Sequence, residues 1–125
     1  MEVLQIQETE DTPSVVFNPG KNIYAITGRS LPEDSIAFYS PVFDWLESYF
    51  DNSNNKDRLV FEFKLDYFNT ASAKQLSKLF KFLESKSDNF NIGVNWYYKE
   101  DDEDTYITGE RYARILDLDF ELIAY

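Results

Sequence analysis

Two hydrophobic periods meet in the middle of this chain, and the junction between them limits the folds open to it. Leu59, Phe61, Phe63, Leu65 and Tyr67 alternate with Val60, Glu62, Lys64 and Asp66, the period of two that turns one face of a strand into a core. Val60 belongs to the outer set, so that outer face is not purely polar. Directly afterwards Ala73, Leu76, Leu79, Phe80 and Leu83 recur at steps of three and four, with Lys74, Lys78, Lys81 and Glu84 elsewhere. That is the period of an amphipathic helix.

Asn69-Thr70 is the hinge between the two periods. Either side chain can cap the new helix, because its oxygen can accept from a backbone N–H that has no partner inside the helix. The same geometry suits a phosphate, since free amides and the positive end of the helix dipole both stabilise negative charge. Phosphorylation there would add roughly −1.5 to −2 charges where only an alcohol stood. It would be a switch without metal or cofactor. The residues alone leave Thr70, Ser72 and Ser77 open as the acceptor.

The rest of the chain supports an α/β reading. Val3 to Gln7 carries a weak strand pattern that ends in polar residues and Pro13, which cannot donate to a ladder. Ser14 to Phe17 and Ile23 to Thr27 read as a hairpin around Asn18-Pro19-Gly20-Lys21-Asn22, with Gly28 expected to end the second strand. Pro32, Glu33 and Asp34 suit a first helical turn. Ile36, Tyr39, Val42, Phe43, Leu46, Tyr49 and Phe50 then continue as a buried helix face, with Pro41 expected to cause a kink or a restart capped by Ser40. Phe90 to Tyr98 reads as a strand with Ile92, Val94, Trp96 and Tyr98 on one side. Helix between strands implies a right-handed crossover and parallel pairing with the 59–67 strand. Tyr106, Tyr112, Ile115 and Leu116 suggest a helix interrupted at Gly109, and Phe120 to Ala124 a last strand. The expectation is one domain over residues 1–125, with a four- or five-stranded mixed sheet, the 59–67 strand central, and the main helices on one face.

Composition narrows the chemistry. A length of 125 residues, 43% apolar and 18% aromatic, is enough for a packed core. The formal charge of −11 disfavours nucleic acid and anionic membranes, whose phosphates it would repel, and points to protein partners with basic faces. Without cysteine or histidine there is no disulfide, thiolate nucleophile or imidazole ligand to build with. No basic segment with an apolar run follows Met1, and no apolar stretch approaches the ~20 residues of a spanning helix. A soluble cytoplasmic protein is expected. The acidic run Glu100-Asp101-Asp102-Glu103-Asp104 reads as a solvated loop and helix start. As a calcium loop beginning at Asp101 it would need glycine where Tyr106 stands.

Several of these segments, taken together and in order, resemble the SiaC family of bacterial regulatory phosphoproteins. They are Thr12-Pro13, Gly28-Arg29-Ser30-Leu31-Pro32-Glu33-Asp34-Ser35, Phe38-Tyr39 with Trp45-Leu46, Tyr67-Phe68-Asn69-Thr70-Ala71-Ser72-Ala73-Lys74, Trp96-Tyr97-Tyr98, and Asp101-Asp102-Glu103-Asp104 with Gly109-Glu110. The resemblance spans nearly the whole chain and implies a STAS-like α/β fold, similar to anti-sigma-factor antagonists, without catalytic activity or cofactor. It implies that Thr70 is phosphorylated by a dedicated protein kinase and dephosphorylated by a PP2C-type phosphatase, and that the unphosphorylated form binds and activates a diguanylate cyclase. Ala71 stands where the family often has serine and Leu31 where it often has tyrosine.

The leading reading is therefore a phospho-switched interaction module. Thr70 is the acceptor, Asn69 and Ser72 shape the helix start, and Arg29, Ala71 and Lys74 join them on the partner surface. Two other readings compete with it. One is a small acidic enzyme using carboxylates such as Asp102 and Asp104. The other is a constitutive scaffold that is never modified.

Overall fold

The computed structural model describes residues 2–125. Its strands are β1 (Leu4–Ile6), β2 (Ser14–Asn18), β3 (Ile23–Ser30), β4 (Leu59–Phe68), β5 (Ile92–Tyr98) and β6 (Asp119–Ala124). The helices are α1 (Ser35–Asn52), α2 (Thr70–Lys86) and α3 (Glu103–Ile115). The strands form one six-stranded sheet in sequence order. β1, β2 and β3 are antiparallel neighbours, and β3, β4, β5 and β6 run parallel. Each helical crossover advances to the next strand in the same direction, so a constant handedness puts all three helices on one face. The sheet exceeds the expected four or five strands because Leu4–Ile6 pairs with Val15–Phe17 at the edge. So short and half-polar an edge strand is defined by its pairing and leaves almost no pattern to read.

The core lies between that face and the helices. Leu59, Phe61, Phe63 and Leu65 of β4 are buried, as are Leu76, Leu79, Phe80 and Leu83 of α2. Phe80 is a hub, with ring centroids 4.8 Å from Phe63, 4.9 Å from Tyr112 of α3 and 5.4 Å from Phe120 of β6. Edge-to-face geometry at these distances adds to the area the rings remove from water. On the other face Glu62, Lys64, Asp66 and Tyr97 are half-buried or exposed. Lys64 Nζ lies 4.3 Å from the Tyr125 ring centroid there.

Several local expectations are corrected. Gly28 does not end β3. It takes φ 113° at a register shift and the strand continues to Ser30. Pro32 and Glu33 precede α1, whose cap is Asp34, its carboxylate accepting from Ala37 N at 3.0 Å. Pro41 neither restarts nor ends α1, which runs unbroken to Asn52. The proline leaves the Ala37 carbonyl without its helical N–H, but Tyr39 and Val42 are fully buried beside it and hold the helix to the sheet. Ile36 is 67% exposed and not part of the buried face. Gly109 does not interrupt α3. It lies where a Cβ would stand 2.4 Å from Trp96 Cδ1, so it marks a close approach of helix to sheet.

Candidate functional site

The junction of β4 and α2 is shaped by the end of β3 beside it. Gly28 pairs with Leu65, but Arg29 pairs with Tyr67, so Asp66 is an extra residue on β4. A one-residue insertion reverses which side chains point inward. Tyr67, expected inside, is therefore 50% exposed, while Phe68 turns in to meet Trp96 edge-on at 5.8 Å. The Arg29 guanidinium lies over the Tyr67 ring at 5.8 Å.

Asn69 is the cap of α2. Its side-chain oxygen accepts from Ser72 N at 2.8 Å, and its own N–H donates to the Ser30 carbonyl at 3.1 Å. Beneath it runs a buried chain of hydroxyls. Ser72 Oγ donates to the Ser30 carbonyl at 2.9 Å, Ser30 Oγ bonds to Ser72 Oγ at 2.8 Å, and Tyr39 OH of α1 lies 2.7 Å from Ser30 Oγ. Burial pushes the Tyr39 hydroxyl up to about 12, against the opposing effect of its bond to Ser30. The first turn of α2 is thus fixed from three elements at once.

This geometry separates the three hydroxyls that the sequence left open. Ser72 is 0% exposed and fully engaged. Ser77 is half-buried in the second turn, 3.3 Å from the Tyr112 hydroxyl. Thr70 begins the helix with its side chain exposed, and the cap is made by Asn69 instead. Ala71 and Lys74 share the exposed surface, and Arg29 is exposed at the same end of the sheet. Ser72, expected on the partner surface, is fully buried.

Two grooves flank the junction. Phe68 and Thr108 line both. One also carries Asp66, Asp102 and Asp104. The other carries Thr70, Lys74, Arg111 and Ile115, with no carboxylate. Asp102 is occupied as the cap of α3, accepting from Thr105 N at 3.0 Å and from Thr105 Oγ1 at 2.7 Å. Among the described residues, no cluster of carboxylates is arranged to hold a metal ion.

A single mixed six-stranded sheet with its three helices on one face defines an α/β domain, and an exposed threonine opens the helix after its central strand. The chain belongs to the SiaC family, whose sequence pattern, described as that of the SiaC family regulatory phosphoprotein, matches residues 6–125. SiaC of Pseudomonas aeruginosa has a similar structure, with a TM-score of 0.88 at 23% identity over all of both chains. A similar chain occurs in the crystal structure of the diguanylate cyclase SiaD in complex with its activator SiaC from Pseudomonas aeruginosa. Its TM-score is 0.89 at 24% identity, covering 98% of this chain and 99% of that one. An uncharacterized protein of Pseudomonas aeruginosa strain UCBPP-PA14 is 24% identical over 126 residues, 100% of this chain and 98% of its own length.

Arg111, Tyr39 and Ser30 are site residues that sequence reasoning missed. Helix periodicity gives the inner face of α3 but not which strand end that helix borders. The buried hydroxyls carry no signal of their own.

Proposed function

We propose that this protein is a non-catalytic switch module in which Thr70 is phosphorylated by a protein kinase and dephosphorylated by a PP2C-type phosphatase. The unphosphorylated form binds and activates a diguanylate cyclase. The carrying observation is that Thr70 alone, among Thr70, Ser72 and Ser77, joins an exposed side chain to a hydroxyl outside the helix cap. In the transfer the Thr70 Oγ1–phosphorus bond forms and the β–γ anhydride bond of a nucleoside triphosphate breaks. The diphosphate leaves, and the hydroxyl proton passes to a base of the kinase. Arg29, Ala71 and Lys74 present the partner face, with Asn69 and Ser72 holding the helix start beneath it. The module acts in the cytoplasm, where kinase and cyclase both find their nucleotides. The cyclase is the partner class because SiaC of Pseudomonas aeruginosa activates one.

Mass spectrometry of the protein purified from its host tests the acceptor, and stoichiometric phosphate on Thr70 is the expected result. Thr70→Ala should lose phosphoacceptance and keep binding to the cyclase. Thr70→Asp should stay folded, since a carboxylate is favourable in the first turn, and bind more weakly. Phosphate on Ser77 instead, with Thr70→Asp binding like wild type, would overturn the assignment.

A further inference from the structure

We propose that the phosphate on Thr70 is gripped within the protein itself, in the groove between α2 and α3, by the ammonium of Lys74 and the guanidinium of Arg111. Phosphorylation then withdraws these two cations from the surface rather than merely adding charge to it. The inference rests on Thr70 being the acceptor.

Its basis is the sorting of charge across the junction. The two grooves on either side of Phe68 and Thr108 have opposite character, Asp66, Asp102 and Asp104 in one and Lys74 and Arg111 in the other. Thr70 lines only the second. A phosphate carrying roughly −1.5 to −2 charges is repelled from the acidic groove and drawn to the basic one. In a chain with 23 acidic and 12 basic residues, a groove holding two cations and no carboxylate stands apart from the grooves lined by Asp66, Asp102 and Asp104 and by Glu2 and Asp44.

The cations come from two helices. Lys74 lies one turn beyond Thr70 on α2, the spacing at which helical side chains meet, and Arg111 reaches the same groove from α3. Among the described residues neither is in an ion pair, unlike Arg58, Lys99 and Arg114, which pair with Asp119, Asp66 and Glu110. Guanidinium and ammonium groups form the strong charge-assisted bonds that phosphate oxygens accept. Ser77 and Tyr112 add hydroxyls to the groove wall, and Ile115, 63% exposed, forms its lip. A bridge from Thr70 to Arg111 would tie α2 to α3 and close this face, removing Lys74, Arg111 and Ile115 from any partner that reads them.

The test uses the full chain with phosphothreonine incorporated at position 70 during synthesis, so it needs no kinase to recognise the protein. The second ionisation of the phosphate is followed by phosphorus NMR in this protein and in its Lys74→Gln, Arg111→Gln, double and Lys21→Gln variants. The protein's overall charge of −11 and the neighbouring Asp66, Asp102 and Asp104 all raise that ionisation, whereas nearby cations and the free amides of α2 lower it. We expect it about one pH unit below that of a phosphothreonine peptide. It should rise in each single groove variant and rise furthest in the double one, while Lys21→Gln, on the far hairpin, leaves it unchanged. A phosphate that titrates identically with and without Lys74 and Arg111 points into solvent and overturns the proposal. Absence of phosphate on Thr70 in protein from the host would instead count against the acceptor assignment and leave this measurement standing.

Discussion

At the scale of the residue, the site divides groups that hold the helix from the group that is free to change. Asn69 satisfies the Ser72 amide, so Asn69→Ala should cost about 1 kcal/mol in chemical denaturation. Thr70 lies outside the cap, and Thr70→Ala should stay within about 0.5 kcal/mol of wild type. A side chain so placed can be changed without loosening the fold. The buried Tyr39 hydroxyl gives a pH signature. Its pKa rises from the usual 10.0 to about 12 on folding, so the folded state keeps a proton that the unfolded state loses. The stability this represents is complete below pH 10 and disappears as the pH climbs from there through about 12. Burial raises Tyr24 in the same direction, so the comparison is between slopes. Tyr39→Phe should flatten the alkaline decline in unfolding free energy measured by denaturant melts, without abolishing it.

At the scale of the element, the sequence reading succeeds where one period acts alone. The four buried β4 residues and the inner face of α2 follow directly from their spacing. Leu76→Ala and Leu79→Ala, at fully buried positions, should each cost on the order of 2–5 kcal/mol, and exposed Lys78→Ala should cost little. Equal small losses at all three would mean that another face is buried. The reading fails where a neighbour decides. The inward phase of β4 changes at Asp66 because of its pairing with β3, so alternation alone put Tyr67 on the wrong side. Pro41 stays inside α1 because the buried residues on either side anchor it. At Gly109 propensity suggests a break, yet Trp96 lies against the helix and donates from Nε1 to the Thr105 carbonyl at 3.0 Å. Replacing Gly109 by alanine gains about 1 kcal/mol of helix propensity. It also forces a Cβ into a ring that is itself buried, which typically costs 1–3 kcal/mol. A lowered melting temperature for Gly109→Ala should show that the overlap wins. Spacing leaves Thr70, Ser72 and Ser77 open and the family resemblance singles out Thr70, but neither the engagement of Ser72 nor the place of Arg111 in the groove that Thr70 lines leaves a trace in local sequence.

At the scale of the whole molecule, the order of the strands predicts where the structure opens first. β4 is hydrogen-bonded on one side to β3 and on the other to β5, with α1 and α2 covering its inner face, so its amides can exchange only when the sheet comes apart. β1 has three residues and one neighbour, so it can peel away while the core stays intact. Native-state hydrogen exchange distinguishes these openings, because a global unfolding event carries the full stability and a local one does not. In wild type, the amides of Phe61, Phe63 and Val94 should therefore be the slowest, and those of Leu4 to Ile6 much faster. Leu79→Ala sharpens the test, since it weakens the core without touching β1. Protection at Phe61, Phe63 and Val94 should fall by the full destabilisation measured in denaturant. Protection at β1 should not move. An equal fall at β1 would mean that the edge and the centre unfold as one unit.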